Sequence, residues 1–489
     1  MITRPEPDDE LIAIARYVTD TPITSSSAYD MARACLLDAL ACAMLALHEP
    51  DCMRHVRPIV PGTVVPHGSR VPGTSLTLDP VQAAFALGCL IRWLDFNDTW
   101  LAAEWGHPSD NLGALLAVAD YVSRAPWSLG LVPQAQAGQP GLCMRDVLTA
   151  LIKAYEIQGV LALENSLNRR GFDHVWFVKI ASTAVVTGLL GGRAEHVINA
   201  LSNAWIDGPA LRTYRQYPNT GARKSWAAAD ATSRAVRLAL MALNGEMGYP
   251  SALTAPRWGV YDVLMQGQPL KLAQPLASYV VEHILFKVAY PAEFHAQTAI
   301  EAAIQLHPQV IDRLDAIEQI TITTHEAAIR IIDKTGPLHN PADRDHCLQY
   351  MVALGLLFGT VTSAHYQDDS AADPRIDRLR ACMVVLEDPQ FSRDYLDPQK
   401  RAIANTLQIR FGDGSQTEAV TVQYPLGHPR RRAEGMPLVL RKWQAALHSR
   451  FGDARVHAID AVCQDQQRLE ALPVADFLDL LMPDAPDSA

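Results

Sequence analysis

The first half of the chain is dominated by segments in which apolar residues recur every three or four positions. This spacing is typical of helices that bury one face. Many of the remaining positions are Ala, Gly or Ser, which allow helices to pack closely, and the chain of 489 residues is too long for one ordinary core. The sequence therefore predicts a large all-helical layer, with helices over 27–47, 80–93, 109–121, 145–163, 178–190, 194–205 and 224–244.

The pattern changes near residue 270. Ile317–Thr324 alternates apolar and polar residues and is rich in β-branched types, as a strand requires. Two more alternating segments, 405–411 and 418–424, are joined through Gly412-Asp413-Gly414-Ser415, a strong hairpin signal. Two helical stretches, 293–305 and 345–358, lie between the strands, and helices return over 438–451 and 453–472.

These patterns predict a mainly α protein with two domains. The large all-helical domain is formed by a first part, 1–272, and a C-terminal part, 426–489. A smaller α+β lid domain, 273–425, is inserted between the two parts.

The charge balance narrows the classes of partner. Lys and Arg total 42 against 53 Asp and Glu, a net charge of −11, which disfavours nucleic acid or an anionic membrane surface. An anionic small molecule is still compatible, because a pocket can be basic on an acidic protein. We find no signal peptide and no run of 18 apolar residues, so we expect a soluble, cytoplasmic protein.

The sequence offers no cofactor site. The eight cysteines are scattered without a Cys-x-x-Cys pair, so neither a disulfide framework nor an iron–sulfur cluster is indicated. A P-loop, a dinucleotide fingerprint and an EF-hand are also absent. His107 with Asp110, or Asp343 with Asp345 and His346, lack the spacing of a zinc site. We therefore predict neither a metal nor a cofactor.

Residues 92–111 are the first candidate site, because polar residues and tryptophans crowd the junction of two apolar helices. A helix that begins at Ser109 directs free backbone N–H groups towards a carboxylate ligand, and His107 beside it can transfer a proton. The alternative is structural: Ser109 caps the helix, Asp98 ends a turn, and His107 is an ordinary interhelical histidine.

Further candidates lie outside this segment. Arg212, Arg215 and Lys224 gather before a helix N-terminus, where the helix dipole disfavours positive charge. Their position indicates either a bound anion that offsets this cost or a solvated loop whose arginines pair with surface acids. Lys287 and His295 flank a helix that begins near a proline, and there the alternative is a hinge. Taken alone, His174 and Tyr350 are more typical of structural or core residues; the full set is His174, Arg212, Lys224, Lys287, His295 and Tyr350.

Several long motifs resemble the MmgE/PrpD family over nearly the whole chain. They are Ile59-Val60-Pro61-Gly62-Thr63-Val64-Val65-Pro66, the segment from Asp95-Phe96-Asn97-Asp98 to Ser109-Asp110-Asn111, Arg223-Lys224-Ser225-Trp226, Asn340-Pro341-Ala342-Asp343-Arg344-Asp345-His346-Cys347 and Gly427-His428-Pro429-Arg430-Arg431-Arg432. The resemblance implies a homodimer of two-domain subunits with the active site between the domains. It also implies that the pocket is formed by Asp95, Thr99, His107, His174, Lys224, Lys287 and Tyr350.

The resemblance further implies an activity: elimination of water from 2-methylcitrate without a cofactor, with side activity on citrate and cis-aconitate, in the methylcitrate cycle of propionate catabolism. His107 and His174 would then transfer protons, and Lys224, Lys287 and the helix at Ser109 would stabilise negative charge. Asp95 would orient His107 or act as a base, and Tyr350 would assist the leaving hydroxyl.

Two alternatives stay open at this point. One is decarboxylation of cis-aconitate on the same scaffold, although Asn97 fits the dehydratase branch better. The other is a non-catalytic helical protein that binds carboxylates.

Overall fold

The computed structural model describes residues 4–124 and 141–483. The first part of the described chain is built from eleven α-helices. They are α1 (Asp9–Asp20), α2 (Ser26–Ala46), α3 (Pro50–Met53), α4 (Pro80–Arg92), α5 (Leu112–Arg124), α6 (Met144–Glu164), α7 (Val175–Leu189), α8 (Ala194–Ile206), α9 (Arg223–Leu243), α10 (Val260–Val263) and α11 (Tyr279–Glu282). A two-stranded antiparallel ribbon, β1 (Ser69–Arg70) and β2 (Thr77–Leu78), precedes α4.

A second group of elements combines helices with a sheet. Its helices are α12 (Gln297–Val310), α13 (Glu326–Ile332), α14 (Pro341–Arg344), α15 (Leu348–Phe358), α16 (Asp368–Ala371), α17 (Pro374–Ala381) and α18 (Pro389–Leu396). Its strands are β3 (Ile317–Thr324), β4 (Met383–Glu387), β5 (Asn405–Phe411) and β6 (Val420–Val422), in the order β4-β3-β5-β6. The pair β3–β4 is parallel and the other two pairs are antiparallel.

The chain ends in four more helices, α19 (Arg432–His448), α20 (Asp453–Cys463), α21 (Gln466–Ala471) and α22 (Val474–Leu480). They share a large hydrophobic core with the first eleven helices; α19, for example, packs against α2 through buried residues such as Trp443. None of the helices in the described part of the chain has the length and apolar character that crossing a membrane requires.

Local chemistry explains why the central helices form where they do. Asp79 caps α4 by accepting hydrogen bonds from the Val81 and Gln82 backbone N–H groups, both at 3.0 Å, and Pro80 occupies the tolerated first position. Small residues then allow α4 and α9 to approach closely: a Cβ atom at Gly88 would lie 2.9 Å from Ala229. The predicted close packing of helices is seen at this crossing.

A separate hydrophobic core fills the second group of elements. It is built from α12, α15 and the inward faces of β3 and β5, where apolar and polar residues alternate as the sheet requires. A third, smaller cluster joins Leu101 and Trp105 of the helical part to Phe294, Tyr395 and Ile403 of the second group. Two cores therefore meet along a shared seam.

The predicted fold class, mainly α with a smaller α+β unit, is confirmed. The domain boundaries 1–272, 273–425 and 426–489 stay a prediction. Several element boundaries differ from expectation: β4 was not predicted, β6 is shorter than 418–424, and α12 begins at Gln297 after a 3₁₀ turn. The helix expected at Ser109 begins at Leu112, behind a 3₁₀ turn over Pro108–Asn111.

Candidate active site

Seven of the predicted residues meet at the seam between the two cores. They line a narrow cavity of about 20 Å³, which we name the central cavity: Asp95, Thr99, His107, His174, Arg212, Lys287 and His295. Arg92, Arg215, Glu293 and His346 line it as well. Loops at the ends of α4 and α7 therefore meet loops of the second core at this point.

Asp95 is the negative centre of this cavity. It is buried, and its carboxylate forms ion pairs with Arg92 at 2.6 Å and with Lys287, while His346 lies 3.5 Å and Lys224 4.0 Å away. Burial favours the neutral acid, but these cationic groups outweigh it and hold the pKa of Asp95 well below its usual range. Asp95 is therefore ionised, and it is surrounded by groups that compensate its charge.

The backbone at Asp95 adopts an uncommon conformation. Its φ angle of +47° places a non-glycine residue in the left-handed region, which costs on the order of 1–3 kcal/mol and persists because surrounding contacts enforce it. Its carbonyl oxygen accepts a hydrogen bond of 2.9 Å from the Lys287 ammonium group. The Lys287 side chain thus holds both the carboxylate and the backbone of Asp95.

His107 is held as a neutral imidazole. Its Nδ1 lies 2.7 Å from the Asp98 carbonyl oxygen, which can only accept, so Nδ1 carries the proton. Its Nε2 lies 3.0 Å from the Arg92 guanidinium group and accepts from it. Burial, followed by repulsion from Arg92 and Lys287, holds the pKa of His107 well below its usual range. The Thr99 hydroxyl, 3.1 Å from Nδ1, completes its surroundings.

His174 differs from His107 because neither ring nitrogen has a hydrogen-bond partner within the described residues. The ring precedes α7 and lies 3.1 Å from an Asp173 oxygen and 3.8 Å from an Asp110 oxygen. Burial is the main influence that lowers its pKa, against the attraction of Asp173. Gly106 allows the ring to pack closely, since a Cβ there would meet His174 at 3.1 Å.

Two arginines stand on the His174 side of the cavity. Arg215 is paired with Asp173, through Nε at 2.5 Å and Nη2 at 3.3 Å. Arg212 lies over the Trp105 ring at 5.2 Å, and its Nη1 has no hydrogen-bond partner within the described residues, although it lies 3.8 Å from an Asp173 oxygen. Arg212 is therefore held less closely by Asp173 than Arg215 is, and its Nη1 can still donate a hydrogen bond to an anion.

Lys224 lies in the first turn of α9, next to the cavity. Its ammonium group binds both Asp345 oxygens, at 2.7 and 2.8 Å, and lies 3.2 Å from His346 Nδ1. Burial lowers the pKa of Lys224, while Asp345 and Asp95 oppose that effect. The pair joins the helical part to the second group of elements, because Asp345 follows α14.

The Lys224 environment also bears on metal binding. Asp95, Asp345 and His346 place ligand atoms within 4.8 Å of one another, the one such group found in the described residues. The Lys224 ammonium group lies among these atoms and already supplies a positive charge to them. The geometry therefore favours a lysine at this position over a metal ion.

His295 lines the opposite wall and is fully partnered. Its Nδ1 lies 2.6 Å from Glu293, and its Nε2 lies 3.0 Å from the Tyr395 hydroxyl. The Trp105 ring packs edge-on against it. Burial opposes ionisation of Glu293, yet the neighbouring His295 lowers the pKa of that carboxyl to about 2. The substrate-binding role predicted for His295 stays a prediction.

Ser109 does not offer free backbone N–H groups to the cavity as expected. Its N–H and its hydroxyl both donate to the Asp98 carboxylate, at 3.2 and 2.7 Å, and the hydroxyl also accepts from Asn97. The Tyr155 hydroxyl donates to the other Asp98 oxygen at 2.5 Å. Burial raises the pKa of Asp98 to about 7 despite these hydrogen bonds. The anion site expected at Ser109 is therefore filled by a side chain of the protein.

Tyr350 is also not brought to the central cavity. Its hydroxyl donates to the His365 carbonyl oxygen at 2.8 Å, and its ring stacks against Tyr366, on the second core. Tyr366 lines a separate cavity of about 420 Å³ that also contacts Asp345. The catalytic role predicted for Tyr350 stays a prediction.

Sequence reasoning assigned no role in the site to three groups that shape it: Arg92 and Asp98, both within the candidate segment 92–111, and Glu293. Arg92 ends an apolar helix and is buried, and Asp98 is fully enclosed. The available sequence signal was a charged residue within an otherwise apolar element. Charged side chains are buried in a protein only when they have partners, so such a residue indicates a partner nearby.

Sequence models of one family match most of the chain. The MmgE/PrpD N-terminal domain matches residues 12–273 and the MmgE/PrpD C-terminal domain matches residues 290–466. A 2-methylcitrate dehydratase from Cupriavidus necator is 58% identical over 480 residues, 98% of each chain. One from Escherichia coli K12 is 58% identical over the same extent. A mitochondrial 2-methylcitrate dehydratase from Yarrowia lipolytica is 52% identical over 98% of this chain and 91% of its own.

Proposed function

The chain belongs to the MmgE/PrpD family, and from this membership we propose that it is a hydro-lyase that removes water from 2-methylcitrate to give 2-methyl-cis-aconitate. The observation that carries the proposal is similarity over 98% of the chain, at 58% identity, to bacterial enzymes of that name. Side activity on citrate and cis-aconitate is part of the proposal. Decarboxylation is not favoured, because these full-length relatives are dehydratases.

A tricarboxylate needs cations to hold it, and the central cavity supplies them on an acidic protein. Arg212 binds one carboxylate through the Nη1 donor that has no partner within the described residues. Lys224 and Lys287 are buried beside Asp95 and become available as the substrate's own carboxylates replace part of their present pairing. Fixed cations also stabilise the charge that builds on the carboxylate when the neighbouring carbon loses its proton.

His174 is the proposed base. His174 lines the cavity and its ring nitrogens have no hydrogen-bond partners within the described residues, and its lowered pKa keeps it neutral and able to accept a proton at neutral pH. His107 is less suited to this task, because Arg92 donates to its Nε2 and its Nδ1 proton is directed at the Asp98 carbonyl. We assign His107 to orienting Arg92, and through it Asp95.

The leaving hydroxyl requires a proton, and Lys224 is the proposed donor. Its pKa is lowered by burial, so its ammonium group releases a proton more readily than an exposed lysine. The C–H bond breaks as its proton moves to His174, its electron pair forms the double bond, and the C–O bond breaks as the hydroxyl oxygen takes the Lys224 proton. Water leaves, and the proton returns from His174 to Lys224 before the next cycle.

The central cavity must open to admit substrate. Its volume of about 20 Å³ is little more than the roughly 10–15 Å³ that a cavity needs to hold one water molecule, so a tricarboxylate does not fit. The separate cavity of about 420 Å³ is lined by Asp345, which directly precedes His346 of the central cavity in the chain, so we propose that substrate enters there as the Lys224–Asp345 pair separates. The second group of elements acts in this scheme as a lid.

The test is turnover of 2-methylcitrate by purified protein in the presence of a chelator, followed by ultraviolet absorbance of the conjugated product. A rise that survives chelation supports dehydration without a metal. Release of carbon dioxide from cis-aconitate, with no reaction of 2-methylcitrate, would support the decarboxylase instead. Binding of tricarboxylates without turnover of either compound would identify a binding protein.

A homodimer is also proposed. Two stretches expose large apolar side chains, with Ile59 and Val64 in the first and Trp258 and Val263 in the second. Exposed apolar side chains of this kind mark protein–protein contacts when they are grouped. A cytoplasmic location, a role in propionate catabolism and the absence of a nucleic-acid partner remain predictions from the sequence.

A further inference from the structure

Lys442 is a buried lysine of α19 that lies beneath the active site and lines neither of the two cavities. Its ammonium group has three hydrogen-bond acceptors: an Asp38 carboxylate oxygen at 2.8 Å, the Phe96 carbonyl oxygen at 2.7 Å and the Lys287 carbonyl oxygen at 3.2 Å. It also lies 3.7 Å from the centroid of the Phe96 ring. An ammonium group has three N–H donors, so each is used.

The two carbonyl oxygens belong to the two segments that carry the centre of the site. Phe96 directly follows Asp95, and the second carbonyl is that of Lys287 itself. The side chains of Asp95 and Lys287 form an ion pair on the cavity side. One lysine from the C-terminal part of the chain therefore joins the backbones of the two segments on the side away from the cavity.

The charge of Lys442 is maintained in spite of its burial. Burial disfavours the ammonium form, but Asp38 and Cys42 together outweigh that effect, so the pKa of Lys442 is raised. A buried, charged lysine is costly unless its donors are satisfied. A stability role alone would be met by an apolar side chain of similar length, whereas a group that joins two carbonyl oxygens must be a donor.

We propose that Lys442 is a positioning residue for the dehydration: it fixes the separation of the Asp95 and Lys287 segments and keeps Asp95 in its left-handed backbone conformation. The inference rests on the proposed function as far as the reaction is concerned. Lys442 does not touch the substrate, and it acts through Asp95 and Lys287. Its part in catalysis is to hold the Lys287 ammonium group, whose charge stabilises the transition state, at the correct position relative to His174 and Lys224.

The experiment compares Lys442→Met with Lys153→Met. Lys153 is a second buried lysine of the same core; it donates to the Val18 carbonyl oxygen at 2.7 Å and lies over the Tyr17 ring at 5.6 Å, away from the site. Both variants lose a buried ammonium group beside an aromatic ring. We expect K442M to lower kcat for 2-methylcitrate by about tenfold or more with KM changed less than about threefold, while K153M keeps the kcat of the unsubstituted enzyme.

The pH profile supplies a readout that a loss of stability does not move. Asp95 is faced by Arg92, Lys287, His346 and Lys224, and a looser Lys287 pairing raises its pKa. We therefore expect the acid limb of kcat/KM to move to higher pH in K442M and to stay in place in K153M. Lys442→Arg, which keeps the charge, is expected to recover part of the lost kcat. A K442R enzyme no more active than K442M, or a K442M enzyme with unchanged kcat and profile, would overturn the proposal.

A crystal structure of K442M separates this inference from the proposed function. We expect Asp95 to leave the left-handed region or Lys287 to lose its contact with the Asp95 carbonyl; retention of both overturns the positioning role whatever the substrate is. Failure of the unsubstituted enzyme to turn over 2-methylcitrate counts against the proposed function alone. If K442M does not fold, Asp38→Asn takes its place, since it removes the negative charge that pairs with the Lys442 ammonium group; a lowered kcat supports the role and an unchanged kcat overturns it.

Discussion

His107 and His174 lie edge to face in the central cavity, with ring centroids 5.6 Å apart. Their hydrogen bonds nevertheless differ: both nitrogens of His107 are engaged, and neither nitrogen of His174 is. At the scale of single residues, the unpartnered ring is the one prepared to exchange a proton with a ligand. The engaged ring fixes the groups around it.

We expect His174→Ala to lower kcat by about 10²–10⁴, the range for loss of a general base. His107→Ala should lower kcat to a smaller extent, since Arg92 keeps its ion pair with Asp95. The measurement is steady-state dehydration of 2-methylcitrate. His307→Gln is the matched control, because His307 packs on the second core and donates to the Leu356 carbonyl away from the cavity. A loss of only a few-fold in both H107A and H174A would remove the histidines from the mechanism.

The pH dependence should report the cations around Asp95. Burial and repulsion from Arg92 and Lys287 keep His107 neutral, and Arg92 and Lys287 keep Asp95 ionised against the effect of burial. Both pKa values are depressed, so both groups remain in their present states as the pH falls through 6.5, the usual value for histidine. We expect kcat/KM to show no acid limb from His107 in that region.

Arg92→Met should shift this behaviour in a known direction. Removal of one cation raises the pKa of both His107 and Asp95, so their protonation begins at a higher pH. The acid limb of kcat/KM is expected to move upward in R92M, and thermal denaturation checks that the variant is folded. An acid limb of kcat/KM that stays in place or moves to lower pH would contradict the effect assigned to Arg92 on the pKa values of His107 and Asp95.

At the scale of elements, one carboxylate joins α6 to the turn before α5. Asp98 accepts hydrogen bonds from Tyr155 of α6 and from Ser109 in the 3₁₀ turn. Its pKa of about 7 is raised above its usual range, so the folded state loses stability as the pH rises through that value. The Tyr155 hydrogen bond offsets part of this loss, because it favours the ionised carboxylate.

Tyr155→Phe should therefore destabilise the protein in a pH-dependent way. We expect a loss of about 1–3 kcal/mol above pH 7, where a buried carboxylate lacks a donor, and a smaller loss near pH 6. Chemical denaturation at the two pH values measures it. Tyr29→Phe is the control, since the hydrogen bond of its hydroxyl within the described residues is to the Thr149 hydroxyl, a neutral group, at 2.7 Å. Equal losses of unfolding free energy at both pH values would contradict an Asp98 pKa of about 7.

Some helices and strands can be predicted from the sequence and others cannot. Long helices such as α2, α4 and α9 were predicted within a few residues, because their apolar spacing and caps are local signals. β4 was not predicted, because Met383–Glu387 is a short run of mainly apolar residues without apolar/polar alternation, and it lies at the edge of the sheet. The pairing of Ser109 with Asp98 could not be predicted, because the two residues are eleven positions apart and no local pattern joins them; the substrate-binding role of Ser109 stays a prediction.

At the scale of the whole molecule, the contacts that define the site span most of the chain. Lys442 meets Asp38 across 404 positions, and Lys287 meets Asp95 across 192. No local sequence pattern predicts contacts between residues so far apart in the chain. The spacing of residues alone therefore indicated His107 and a basic loop. The family resemblance was needed to add Asp95 and Thr99. Resemblance also brought in Tyr350, which the structure places on the second core away from the cavity.

The proposed homodimer makes a prediction about the exposed apolar side chains. Trp258 is 81% exposed and Val263 59%, with Met247 and Tyr249 also uncovered nearby in the chain. Tryptophan and tyrosine are the residues that contribute most at interfaces, so we expect this stretch to lie in the dimer contact. Trp258→Glu should give a monomer of unchanged fold, measured by light scattering during size-exclusion chromatography and by circular dichroism.

Val64→Glu is the matched comparison, because Val64 is 85% exposed in the other apolar stretch. A dimer that dissociates on V64E and survives W258E would move the contact to residues 59–64, and a dimer that survives both would exclude both surfaces. A monomeric unsubstituted enzyme would contradict the homodimer itself.

The activity of a W258E monomer shows whether one subunit is sufficient for catalysis. Both cavities are lined by residues of one chain, so a W258E monomer that keeps its kcat shows that each subunit holds a complete site. A monomer without activity would mean that the contact supports the loops around the central cavity.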